Sequence, residues 1–179
     1  FATFRRGTAF GQVGFLARED LTSDRLAQYR VLFCPVALSI TSEDVHTLFR
    51  FAEAGGVVVA DVGFGSYQAG GYAHSWSVEL ATLLGVRALW PAMPGGGNLR
   101  VYDKVSLFPS IAAGATSAAT GGQPAFTELA AMIQPLVGST VFGASLDRTL
   151  PDRKLFGGIV AHPVGKGWIL YASMKLWHR

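Results

Sequence analysis

Tyr29-Arg-Val-Leu-Phe-Cys-Pro35, then Thr41-Ser-Glu-Asp44 with Val45, Leu48, Phe49 and Ala52 behind it, then Gly55-Gly-Val-Val-Val-Ala-Asp61: this stretch decides the fold. The first segment is an unbroken apolar run ended by proline, which is how a strand buried on both faces of a parallel sheet reads. Thr41 is a hydroxyl N-cap, and Glu43 and Asp44 place carboxylates in the first turn, where the helix dipole favours them. Apolar residues at helical spacing follow, and Gly55-Gly56 occupies the usual C-terminal position. Val57 to Ala60 is a second apolar run. Strand, helix and strand with short joints make a βαβ unit, so the sheet is at least partly parallel.

Working outward, Val13-Gly-Phe-Leu16 is a short apolar run, and Glu19 to Asp24 reads as a turn into a brief helix. Beyond Asp61 lies a glycine-rich loop to Ser75. A helix is predicted over 76–84, with Ser75 as its cap and Gly85 as its stop. Asn98 to Asp103 alternates like a half-exposed strand. Residues 109–124 show no periodicity, and 126–136 reads as a further short helix. Leu155 to His162 and Trp168 to Ala172 flank Pro163-Val-Gly-Lys-Gly167, a hairpin with its glycines at the turn. His162 is then a turn residue.

Composition narrows the function. In 179 residues, 50% are hydrophobic and 15% charged, which excludes a disordered tail. Fifteen basic against twelve acidic residues give +3, spread without a basic stripe, so nucleic acid is not an expected partner. No apolar stretch reaches membrane-spanning length, and a membrane partner is not expected either. Cys34 is the sole cysteine, so no disulfide forms within the chain; this fits a reducing, cytoplasmic setting. It sits mid-run in a buried strand, where a thiol is mostly inert packing. His46, His74, His162 and His178 have no metal-ligand spacing, and His46 falls on the solvated side of its helix. Gly63 and Gly65 lack a phosphate-loop signature. No metal and no cofactor are expected.

The ordered set Gly14-Phe-Leu, Asp20-Leu, Leu26-x-x-Tyr-Arg-Val-Leu-Phe-Cys-Pro and Phe51-x-x-x-Gly-Gly-Val-Val-Val-Ala-Asp61 resembles the class I glutamine amidotransferase-like fold. It is most similar to the trimerisation domain of family 42 β-galactosidases. A Leu83-Leu-Gly-Val86 helix end and a Gly165-x-Gly hairpin extend the likeness, which covers 11–90 and 155–175. The resemblance implies an α/β fold: a doubly wound, mostly parallel, flavodoxin-like sheet flanked by helices, with a C-terminal β-hairpin. It also implies one domain over 1–179, a segment of a longer protein, whose first strand and helix would precede the run at Val13. An active amidotransferase carries a cysteine just after the strand ending at Asp61, and a histidine and glutamate after the last strand. Asp61-Val62 and Ser173-Met174-Lys175 stand there instead, so glutaminase chemistry has no nucleophile and no base.

Three functional readings remain open, and no catalytic residue is assigned. The resemblance implies a non-catalytic oligomerisation or accessory domain of a carbohydrate-active protein, whose partners are further copies of itself, as a trimer, or an adjacent domain. The loop after the second strand offers the alternative. It gathers Asp61, Phe64, Tyr67, Tyr72, His74 and Trp76, and open α/β sheets bind ligands beyond the carboxyl ends of their strands. Aromatic faces beside a carboxylate suit a sugar ring; they equally suit an interface. An unrecognised enzyme built on Asp61 and His74 is a third reading.

Overall fold

A computed structural model describes residues 13–35, 37, 39–66, 77–88, 93–94, 98–101, 129–130, 133–146 and 158–173. The chain enters through a 3₁₀ turn, Arg18–Asp20, and a single helical turn, α1 (Ser23–Leu26). β1 (Val31–Cys34), α2 (Ser42–Glu53) and β2 (Val57–Ala60) form the expected βαβ unit. Then come α3 (Val78–Leu84), β3 (Val86–Ala88), β4 (Met93–Pro94) and β5 (Asn98–Val101). β6 (Leu129–Ala130), β7 (Ile133–Pro135), β8 (Thr140–Leu146), β9 (Gly158–Val164) and β10 (Gly167–Ala172) complete the described elements.

The molecule is of the α/β class with a mixed six-stranded sheet, ordered β1-β2-β10-β9-β8-β5. β1, β2 and β10 are mutually parallel, with Cys34, Ala60 and Tyr171 in register. The pairings from β10 through β9 and β8 to β5 are antiparallel. A mostly parallel sheet is therefore right for the half built from the βαβ unit and β10. The other half turns antiparallel because β9 reaches β10 through a two-residue turn at Gly165 and Lys166, too short for a crossover.

α2 begins as its sequence dictates. The Asp44 amide donates to Thr41 Oγ1 (3.2 Å), and Asp44 Oδ2 accepts from the Thr41 amide (2.7 Å), a reciprocal capping box. Arg18 Nε also donates to Asp44 Oδ2 (3.0 Å), pinning the 3₁₀ turn to the helix start. Val45, Leu48, Phe51 and Ala52 are buried. They join Leu26 of α1, Leu80, Leu83 and Leu84 of α3, and Val58, Ala60, Val160, Ile169 and Tyr171 of the sheet in one core.

All described helices sit on that one face. The opposite face carries a smaller cluster, Ala161 and Leu170 with half-buried Val57, Val59, Ile159 and Trp168, to which no described helix contributes. A doubly wound sheet has helices on both faces; among the described residues one face has them.

Three local expectations change. The helix predicted over 76–84 starts at Val78, capped by Ser77 Oγ accepting from the Leu80 amide (3.1 Å), with Trp76 outside the described residues. In place of a helix over 126–136 stand β6 and β7, paired antiparallel with β4 and β3. Pro135 lacks the N–H that a helix interior requires, and cross-strand pairing takes the segment instead. The hairpin turn is narrower than predicted: His162 and Pro163 lie within β9, opposite Ile169 and Trp168.

Candidate functional site

The carboxyl ends of β1 and β10 place Cys34 and Tyr171 on the helix-covered side of the sheet, and Asp61, the residue after β2, is near enough for its charge to act on both. Asp61 and Tyr171 are fully buried. Burial, then the negative charge of Asp61, pushes the Cys34 thiol up to about 12. The same two causes, in the same order, raise the Tyr171 phenol. At neutral pH both groups therefore keep their protons. Cys34 is packed against the core as an inert thiol, as its place in the strand predicts.

Beyond Asp61 the chain folds back through two tight turns. The Phe64 amide donates to the Asp61 carbonyl (3.2 Å), Ser66 to Gly63 (3.0 Å), and Gly65 to the carbonyl of Ala37 (2.9 Å) after β1. Gly65 has φ +63°, and a Cβ there would run into Leu80. The reversal drives Val62 and Phe64 inward, leaving them 2% and 1% exposed. Phe64 packs in the core, so its ring presents no face to a ligand, and Asp61 is equally shut away from solvent. Both were expected at a ligand surface. The glycines flanking Phe64 let the chain turn sharply enough to bury it. Tyr67, Tyr72, His74 and Trp76 lie outside the described residues.

After β10, Ser173 is fully buried. Its Oγ accepts from the Gly158 amide (2.8 Å), and its own amide donates to the Gly158 carbonyl (3.0 Å). That side chain extends the β9–β10 pairing and offers no base.

Sequence reading missed a second polar cluster. Ser139 Oγ donates to the Gly85 carbonyl (2.7 Å) and lies 2.9 Å from His162 Nδ1. One hydroxyl has one proton, so with it committed to Gly85 the ring supplies the other, which fixes the tautomer carrying hydrogen on Nδ1. A serine oxygen donating to a carbonyl while accepting from histidine is not an activated nucleophile. The Leu136 amide also donates to the Gly85 carbonyl (2.8 Å). A Cβ on Gly85, at φ +66°, would strike His162 and Ser139. The cluster ties the end of α3 to the turn before β8 and to β9. Burial lowers the His162 pKa. Residues 54 and 23 apart in sequence leave no local signature of such a tie.

An open cleft of about 480 Å³ lies elsewhere, between the 3₁₀ turn and the start of α2, lined by Arg18, Glu19, Thr22, Thr41 and Asp44 among others. Of its polar groups, Thr41 and Asp44 already form the capping box and Arg18 is bonded to Asp44. His46 is exposed on α2, as predicted. No three potential metal ligands cluster among the described residues.

No protein-family model matches this chain, and no curated protein sequence does. Solved structures do match. A GH42 β-galactosidase from G. stearothermophilus, in a catalytic mutant, superimposes with TM-score 0.61 at 17% identity over 84% of this chain and 19% of its own. The β-galactosidase of Bacillus circulans sp. alkalophilus gives 0.63 at 14% identity, covering 83% of this chain and 20% of that one. The cytoplasmic protein STM1381 from Salmonella typhimurium LT2 gives 0.60 at 14%, covering 90% and 67%. The chain shares a fold with all three. It spans about a fifth of the length of the β-galactosidases, so the likeness is to one part of those enzymes.

Proposed function

We propose that the chain is a non-catalytic accessory domain of a larger carbohydrate-active protein, wound in the amidotransferase-like manner, and that it serves assembly. The supporting observation is the partial match: most of this chain corresponds to a fifth of several β-galactosidases. Chemistry points the same way. The position of the amidotransferase nucleophile holds Asp61-Val62, both buried, and the position of its base holds Ser173, committed to Gly158. Any glycoside hydrolysis belongs to other parts of such a protein.

In this reading the partners are further copies or a neighbouring domain, and the apolar sheet face around Val57, Val59, Ile159 and Trp168 supplies the contact. A sugar site at the loop after β2 is the weaker reading, because Asp61 and Phe64 are buried.

Light scattering at several concentrations tests the assembly role. The expected result is a stable mass three times the 19.0 kDa of one chain. A monomer at every concentration would overturn self-association by this domain and turn attention to Tyr67, Tyr72, His74 and Trp76, with sugars screened by thermal shift.

A further inference from the structure

Three segments meet at the base of the two-stranded ribbon made by β3 and β7. β3 starts just after Gly85, and β7 ends just before Leu136, with Val86 opposite Pro135. The Gly85 carbonyl accepts from the Leu136 amide (2.8 Å) and from Ser139 Oγ (2.7 Å), and the Ser139 amide closes the turn onto the Leu136 carbonyl (3.1 Å). His162 of β9 completes the junction. Its Nδ1 lies 2.9 Å from Ser139 Oγ, and the side chain sits so close to Gly85 that a Cβ there would strike it. One imidazole therefore bears on both legs of the ribbon.

The two legs are not held equally. Val86 is fully buried in the core, whereas Gln134 and Pro135 are exposed and Ile133 is the residue of β7 that packs against the core. The turn that follows carries Val137, wholly exposed, and Gly138 at φ +87°. A segment with so few buried apolar contacts belongs to the low-stability end of a fold. Its hold on the end of α3 runs through the junction.

A neutral imidazole suits this place and an imidazolium does not. Nδ1 carries the hydrogen bonded to Ser139, so an added proton goes to Nε2 and changes the charge while leaving that bond in place. The elements packed against β9 are β8, β10, α2 and α3. Their ionisable groups are Glu43, Asp44, His46, Arg50 and Glu53 of α2, Glu79 of α3 and Tyr171 of β10; β8 has none. Arg87 stands on β3 and Lys166 in the hairpin turn. Burial lowers the His162 pKa, with no opposing contribution from any of these carboxylates. A charged ring held there would lack a counter-ion among the described residues, and water favours it.

We infer that His162 is an acid-sensitive clasp on the β3–β7 ribbon. With the ring neutral the junction is closed. On taking up a proton the ring leaves Gly85 and Ser139 for solvent, and β7 with its turn lifts from the end of α3 while the six-stranded sheet stays folded. This inference stands apart from the assembly role, since the motion lies within one chain.

Backbone amide exchange in the full chain tests it, read as protection factors between about pH 7.5 and 5 so that the intrinsic pH dependence of exchange is removed. Protection of the Leu136 amide is expected to fall several-fold with acid, and by no more than about tenfold per pH unit, the limit for one proton. The Ile169 amide, in the middle of the sheet, is expected to keep its protection. His162→Gln retains a side-chain donor but takes up no proton, so its Leu136 protection is expected to stay level. Constant protection at Leu136 in the parent overturns the inference, as does an equal fall in the variant. A parallel fall at Ile169 also overturns it, by showing global unfolding in place of a local release. Should the variant not fold, the parent decides alone: the midpoint of the Leu136 change must coincide with the titration of the His162 ring protons followed by NMR, and separate midpoints overturn the inference.

Discussion

The two faces of the central sheet are built from adjacent residues of the same strands, yet they differ sharply. On one face Val58, Ala60, Val160, Ile169 and Tyr171 are sealed by the described helices, each no more than 1% exposed. On the other, Val57, Val59, Ile159 and Trp168 are only half-buried, beside buried Ala161 and Leu170. Val57-Val-Val-Ala60 carries no residue that distinguishes the faces; the alternation of burial along β2 comes wholly from what packs where. One face stabilises the domain, and under the proposed function the other meets a neighbour.

A pair of substitutions breaks this comparison most directly. Val58→Asp puts an unpaired charge in the sealed core and is expected to cost about 4 kcal/mol or more, read as loss of folded protein in urea. Val59→Asp, one residue along, faces the other way. It is expected to leave the monomer folded while lowering the mass seen by light scattering. Equal destabilisation by the two would show that the faces do not differ as described.

Phe64→Ala sharpens the distinction between a ligand aromatic and a core aromatic. Truncating a ring that is 1% exposed is expected to cost about 3–5 kcal/mol in urea unfolding. A variant of undiminished stability would return Phe64 to the candidate ligand surface.

The smallest expected effect concerns His162, which belongs to the sealed face through its bond with Ser139. Its folded-state pKa is lowered from 6.5 by burial, so the unfolded chain binds its proton more readily. The stabilising contribution is present in full above 6.5 and is lost as pH falls through the lower folded value. Urea titrations between neutral and mildly acid pH should show His162→Gln losing less stability than the parent. Identical slopes would remove His162 as a contributor.

Legibility varied along the chain for physical reasons. The capping box at Thr41 and Asp44 lies within four residues, and it was readable because its chemistry is local. The Gly85 stop was readable for the same reason. The β6 and β7 segments were not, since their conformation is set by partners about forty residues away in sequence. In the candidate site Asp61 and Phe64 were found as notable residues, but their burial was not legible, because a sharp turn decided it. Tyr171 went unnoticed inside an apolar run; register alone sets it level with Ala60 and Cys34 across three strands.

By itself the sequence determined the α/β class, the βαβ unit and the closing hairpin. Those follow from apolar periodicity, caps and residue identity, which act over a few residues. Tertiary structure alone decided that the sheet is half antiparallel, that the described helices share one face, and that Phe64 is sealed in the core. Each of those depends on which strands meet and in which register, and pairing between segments far apart in the chain leaves no imprint on local pattern.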